Sequence, residues 1–121
     1  MHEASLVRTL LRQVAELVAA QGGERAVSVN VEVGPLAGVE PLLLQEAFEH
    51  LRRDTVASEA ALEIEYVPLT LRCRKCGHPQ ETIELRFQCG RCQSQEVDVV
   101  GGDAVVLRSV TIAIAEASSS L

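Results

Sequence analysis

Four cysteines, grouped as Cys73-x-x-Cys76 and Cys89-x-x-Cys92, constrain this chain more than any other feature. Two residues between sulfurs let a tight knuckle aim both at one ion. The 12 residues from Gly77 to Gln88 allow a short hairpin that brings the second pair back to the first. That stretch is shorter than the roughly 15–20 residues usual for such paired motifs, yet a hairpin of this length still closes. The expected product is a closed tetrahedral thiolate site, for which Zn(II) is the favoured metal. Iron in a four-thiolate centre and a redox-active dithiol are the alternatives. Four protein ligands leave no position for water, so the expected role of a bound zinc is structural. Gly77 and Gly90 are expected to supply the flexible backbone of the knuckles. His78 reads as a solvated loop histidine.

The chain has 121 residues, enough for one ordinary core plus a small metal-stapled appendage. Apolar residues make up 47%, but Phe48, Phe87 and Tyr66 are the only aromatic ones, so Leu, Val, Ile and Ala must build the core. A net charge of −6 repels a phosphate backbone, which argues against a nucleic-acid partner. Basic residues do cluster near the cysteines as Arg72, Arg74, Lys75, Arg86 and Arg91, where they are expected to offset the thiolate charge. No run approaches the ~20 apolar residues of a membrane span, and the N-terminus lacks a secretory pattern. A cytoplasmic protein without a membrane partner is expected, and in a reducing compartment paired C-x-x-C motifs favour metal over disulfide.

Along the chain, Leu6, Val7, Leu10, Leu11, Val14, Leu17 and Val18 recur at helical spacing and predict an amphipathic helix from Ala4 to about Gln21. Ser5 is its candidate cap and Gly22-Gly23 its stop. Val27, Val29, Val31 and Val33 alternate with polar residues and predict a strand with one buried face. After Gly34-Pro35-Leu36-Ala37-Gly38, Pro41 opens a second helix with Leu44, Ala47, Phe48 and Leu51 inward. Leu62, Ile64 and Tyr66 predict a second strand. Val106, Val110, Ile112 and Ile114 are the candidates for the buried face of a third. The expected class is α+β: a three-stranded sheet packed with two helices, plus an inserted zinc-ribbon subdomain between strands two and three. The expected boundaries are 1–68 with 101–117 for the α+β domain, 69–100 for the ribbon, and a frayed tail at 118–121.

The start of the chain offers a second, chemically different constellation. A histidine at position 2 brings together the amine of Met1, the backbone amide of His2 and its imidazole, three nitrogens that close adjacent chelate rings. A flat all-nitrogen set suits Ni(II) or Cu(II). A solvated histidine on a frayed terminus is the plain alternative. Glu3 is equally at home as an acid in a first helical turn.

Met1-His2-Glu3 before an amphipathic helix, the stretch Val31-Glu32-Val33-Gly34-Pro35-Leu36-Ala37-Gly38-Val39-Glu40-Pro41, and the two C-x-x-C motifs together resemble the HypA/HybF family of hydrogenase nickel-incorporation proteins. The resemblance covers nearly the whole chain in the same order. It implies a nickel metallochaperone and no enzyme, with Ni(II) as transient cargo and Zn(II) as structural metal. Its implied partners are a maturation GTPase and the [NiFe] hydrogenase large-subunit precursor, and some family members also serve urease. Carried over by position, Met1, His2, Glu3 and Glu40 match the nickel site, while Cys73, Cys76, Cys89 and Cys92 match the zinc ligands. Gly90 stands where a proline is frequent and Gln93 where a glycine is frequent. A homodimer is compatible with these features. A zinc-ribbon interaction module without nickel function is the alternative reading.

Overall fold

The computed structural model describes residues 2–114, with His2 described by its backbone alone. Met1, the side chain of His2 and residues 115–121 lie outside the described residues, and with them the expected tail. The elements run α1 (His2–Ala20), β1 (Arg25–Val33), α2 (Pro41–Leu51), β2 (Ala61–Tyr66), β3 (Leu69–Cys73), β4 (Pro79–Thr82), β5 (Val97–Gly101) and β6 (Val105–Ala113). They form two three-stranded sheets, ordered β2-β1-β6 and β4-β3-β5. The first sheet and two helices are those read from the sequence; the second sheet is built from residues 69–101 around the cysteines, one residue beyond the expected ribbon.

The chain divides into two compact units: 1–31, 39–64 and 107–121 form one, and 32–38 with 65–106 form the other. In the first unit α1 packs against α2. Val7, Val14, Leu44 and Phe48 are wholly buried there, as the helical spacing requires. α1 starts at His2, two residues earlier than expected, so Ser5 lies inside its first turns and does not cap it. Its end is a Schellman motif: Gly22, at φ 66°, donates to the Ala19 carbonyl, and Gly23 donates to that of Val18.

Two strand readings need correction. In β1 the buried residue at the start is Ala26, while Val27 is 43% exposed. The Ala26 amide donates to the Val56 carbonyl at 2.8 Å, which turns the first residues of the strand out of phase with Val29, Val31 and Val33. In β6 the consecutive exposed pair Arg108-Ser109 breaks the alternation. Val110 and Ile112 are half-buried, but Val106 and Ile114 are exposed. Tyr66, at the end of β2, is likewise exposed.

In the second unit Leu69 and Leu71 are fully buried on β3, beside Cys73 and Cys89. β3 is the central strand and pairs antiparallel with both neighbours, Arg72 opposite Pro79 on β4 and opposite Asp98 on β5. Pro79 sits at the first residue of an edge strand, where its missing N–H costs the ladder least. Gly34 and Gly102 meet backbone to backbone in this unit. A Cβ on Gly34 would stand 2.3 Å from three backbone atoms of Gly102.

Candidate metal centre

Each cysteine pair folds into the same knuckle. The amides of Lys75 and Cys76 donate to Cys73 Sγ at 3.3 and 3.4 Å. Those of Arg91 and Cys92 donate to Cys89 Sγ, both at 3.3 Å. The knuckle closes with a left-handed residue four places after its first cysteine: Gly77 at φ 74° and Gln93 at φ 67°. Each sends its amide to the carbonyl of that cysteine, at 3.0 and 2.9 Å. The glycine expected to matter at position 90 is not the left-handed one. A Cβ there would meet only Gln80 Oε1, at an ordinary 3.7 Å.

The four sulfurs converge, all within 4.8 Å of one another. Cys73 Sγ lies 3.6 Å from Cys92 Sγ, and Cys76 Sγ lies 3.6 Å from Cys89 Sγ. A disulfide would need about 2.05 Å. A tetrahedron with metal–sulfur bonds of about 2.3 Å has edges of about 3.8 Å. The set therefore fits a tetrahedral, thiolate-binding ion, and the four thiols are free cysteines. Amides pointed at Cys73, chiefly that of Cys76 and then that of Lys75, favour its thiolate and lower its pKa to about 6. The amide of Cys92, followed by that of Arg91, lowers Cys89 in the same way. Cys92 receives the Ser94 amide, which pulls downward, but the sulfur of Cys73 and burial prevail and raise it to about 11. Without metal, Cys73 thus holds charge while Cys92 holds a proton.

Gln80 on β4 is a supporting residue that the spacing of cysteines did not mark. Its Oε1 accepts from the Gly90 amide at 2.8 Å and its Nε2 donates to the Gln88 carbonyl at 2.9 Å, tying the second knuckle to the sheet. Two of the five clustered cations, expected to offset the thiolates, pair with carboxylates: Arg74 meets Asp98 at 3.4 Å and Lys75 meets Glu96 at 3.7 Å. Both pairs are exposed and contribute little to stability. The backbone carbonyl of His78 accepts from the Cys73 amide at 3.0 Å, and its imidazole is outside the four-cysteine group.

Of the expected nickel residues, two are described in full and they meet. Glu3 Oε2 accepts from the Glu40 backbone amide at 3.0 Å, joining the first turn of α1 to the residue before α2. Glu40 is the N-cap of α2: its Oε1 accepts from the Leu42 and Leu43 amides at 2.8 and 3.4 Å, and Pro41 follows at the first helical position. Met1 and the His2 imidazole lie outside the described residues. No described helix is long and apolar enough to cross a membrane.

Residues 1–112 match the sequence profile described as "Hydrogenase/urease nickel incorporation, metallochaperone, hypA". A hydrogenase maturation factor HypA from Aquifex aeolicus is 33% identical over 114 residues, covering 94% of this chain and 99% of the relative. Its counterpart from Shewanella halifaxensis is 34% identical over 112 residues, covering 93% and 97%. The solution structure of the Ni metallochaperone HypA from Helicobacter pylori superposes with a TM-score of 0.76 at 25% identity, over 93% of this chain and 98% of that one. A second HypA solution structure gives 0.74 at 27% identity, over 93% and 96%. With its two helices, its sheets and its four-cysteine cluster in place, and a profile match from the first residue to the last full strand, this chain belongs to the HypA family of nickel metallochaperones.

Proposed function

We propose that this chain takes up Ni(II) at its N-terminus, through Met1, His2, Glu3 and Glu40, and passes it on during [NiFe] hydrogenase maturation. Zn(II) in the site of Cys73, Cys76, Cys89 and Cys92 holds the ribbon folded. Residues 1–68 with 101–117 form the nickel-binding part and 69–100 the ribbon. The partners are a maturation GTPase and the hydrogenase large-subunit precursor, and the compartment is the cytoplasm.

The observation that carries this reading is the bond from the Glu40 amide to the Glu3 carboxylate, which holds the residue before α2 against the first turn of α1, next in sequence to His2. A terminal amine, a backbone amide nitrogen and an imidazole supply the nitrogen donors Ni(II) favours. Few ligands on a chain end suit a cargo that must leave again. The four-thiolate site, by contrast, is closed, and its donor set and sulfur spacing favour zinc as a resident ion.

The experiment is nickel calorimetry on untagged, zinc-loaded protein beside His2→Ala and a variant with one residue added before Met1. Loss of the tight site in both variants, with zinc content intact, is the expected result. Parent-like nickel binding in both would remove the N-terminal site and leave the ribbon as an interaction module.

A further inference from the structure

Between the end of β4 at Thr82 and Cys89, the sequence Ile83-Glu84-Leu85-Arg86-Phe87 alternates apolar and charged residues with the period of a strand, yet forms none. Its apolar members are among the more exposed in the protein: Ile83 84%, Leu85 55% and Phe87 43%. Among the described residues, no hydrogen bond engages the main chain of Leu85 or Phe87. A segment with strand chemistry, open backbone groups and uncovered apolar side chains is a template for pairing.

The segment is complementary to itself. In an antiparallel pair centred on Leu85, residue 85 faces residue 85, Ile83 faces Phe87, and Glu84 faces Arg86. All three kinds of cross-strand pair are favourable: two Glu–Arg pairs on one face, and two Ile–Phe pairs around a Leu–Leu pair on the other. Any register shifted by one residue sets apolar side chains against charged ones. The hydrogen bonds already present select the same arrangement. Thr82 Oγ1 accepts from the Glu84 amide at 3.0 Å and donates to the Glu84 carbonyl at 3.2 Å. Glu84 thus falls at a non-hydrogen-bonded position, and the paired groups are those of residues 83, 85 and 87.

We infer that residues 83–87 form an interface with a second copy of this chain, pairing as antiparallel strands about Leu85. Five residues a side make a small interface, so the dimer is weak and concentration-dependent. The inference is independent of nickel binding.

The test is sedimentation velocity of the zinc-loaded full chain over a concentration series, with charge-reversal variants at exposed positions. Glu84→Arg and Arg86→Glu, each alone, set like charges opposite one another twice and are expected to weaken self-association roughly tenfold or more. The double variant Glu84→Arg/Arg86→Glu restores both pairs and the dimer. An equimolar mixture of the two single variants dimerises although neither does alone. Hydrogen exchange at the Leu85 and Phe87 amides slows as the parent dimerises. A parent monomeric throughout the series, a dimer indifferent to the single reversals, or a mixture that fails to associate would each overturn the inference. Unchanged zinc content and circular dichroism establish that the variants fold.

Discussion

The carboxylate of Glu3 accepts the backbone amide of Glu40 at 3.0 Å, across 37 positions of sequence. The bond uses the main chain of Glu40, and the side chain of Glu40 meanwhile caps α2. Glu40 thus has two separable properties, a cap and a carboxylate. Asparagine keeps the first and loses the second. We expect Glu40→Ala to lower stability by about 1 kcal/mol and to weaken nickel binding. Glu40→Asn should hold its melting temperature and weaken nickel binding alone. Denaturation and nickel calorimetry on the two variants read the two effects apart. Equal nickel affinity in parent and Glu40→Asn would restrict Glu40 to capping.

The opposed shifts at Cys73 and Cys92 set the proton count of metal uptake. Cys73 titrates near 6, below its ordinary 9.0, so its contribution to the metal-free fold is full above about 9 and is lost as pH falls through 6. Cys92 titrates near 11, so its contribution is full below about 9 and is lost as pH rises through 11. At pH 7.5 the metal meets one thiolate already formed at Cys73 and must displace the proton of Cys92. Proton release per zinc should therefore fall short of four at pH 7.5 and approach four below pH 6, with affinity falling as pH drops. Calorimetry in buffers of different ionisation enthalpy counts the protons. A release of four at both pH values would contradict the pre-formed thiolate.

Gln93 holds a left-handed conformation at φ 67°, which its counterpart Gly77 holds at φ 74°. A side chain there costs roughly 1–2 kcal/mol relative to relaxed backbone. Gln93→Gly should remove that strain and stabilise the second knuckle by about 1 kcal/mol, offset in part by greater freedom of the unfolded chain. Gly77→Ala should do the reverse at the first knuckle. Resistance of the zinc-loaded protein to a competing chelator ranks the three proteins, and a Gln93→Gly variant that released zinc faster than the parent would refute the symmetry of the knuckles.

What could be read from the sequence was whatever rests on local periodicity or fixed spacing. The helix of Val7, Val14 and Val18, the strand of Val29 and Val31, and the four cysteines are of this kind. The failures came where a distant partner decides. Ala26 displaces Val27 from the core because Val56, thirty residues on, accepts its amide. The strands β4 and β5 are too short for alternation to show, and they exist because β3 pairs with both. Gln80 carries no signature, since its importance lies in one side chain reaching Gln88 and Gly90. The metal site, fixed by identity and spacing, was the more legible of the two constellations. In the N-terminal one, the approach of Glu3 to the Glu40 main chain links positions 37 apart, a contact that only the folded chain brings about.

The stretch Gly34-Pro35-Leu36-Ala37-Gly38 carries part of the family resemblance, and its first residue has a physical task. A Cβ at Gly34 would lie 2.3 Å from the Cα, C and O of Gly102, all backbone atoms that no rotamer change can move aside. Gly102 itself stands at φ 89°, with the Pro68 carbonyl oxygen 2.6 Å from any added Cβ. The two glycines also flank two backbone bonds, Leu36 to Gly102 at 2.8 Å and Gly34 to Ala104 at 3.4 Å. Gly34→Ala should therefore cost about 3 kcal/mol or more, because the backbone must part and these bonds lengthen. Gly22→Ala is the control: its φ is 66° but nothing lies within 4 Å of an added Cβ, so only the conformational cost of about 1 kcal/mol applies. Urea denaturation of the two zinc-loaded variants measures the difference. Equal losses would mean that the backbone at Gly102 yields to an added methyl group, and a larger loss at Gly34 identifies the close approach to Gly102 as the reason only glycine fits.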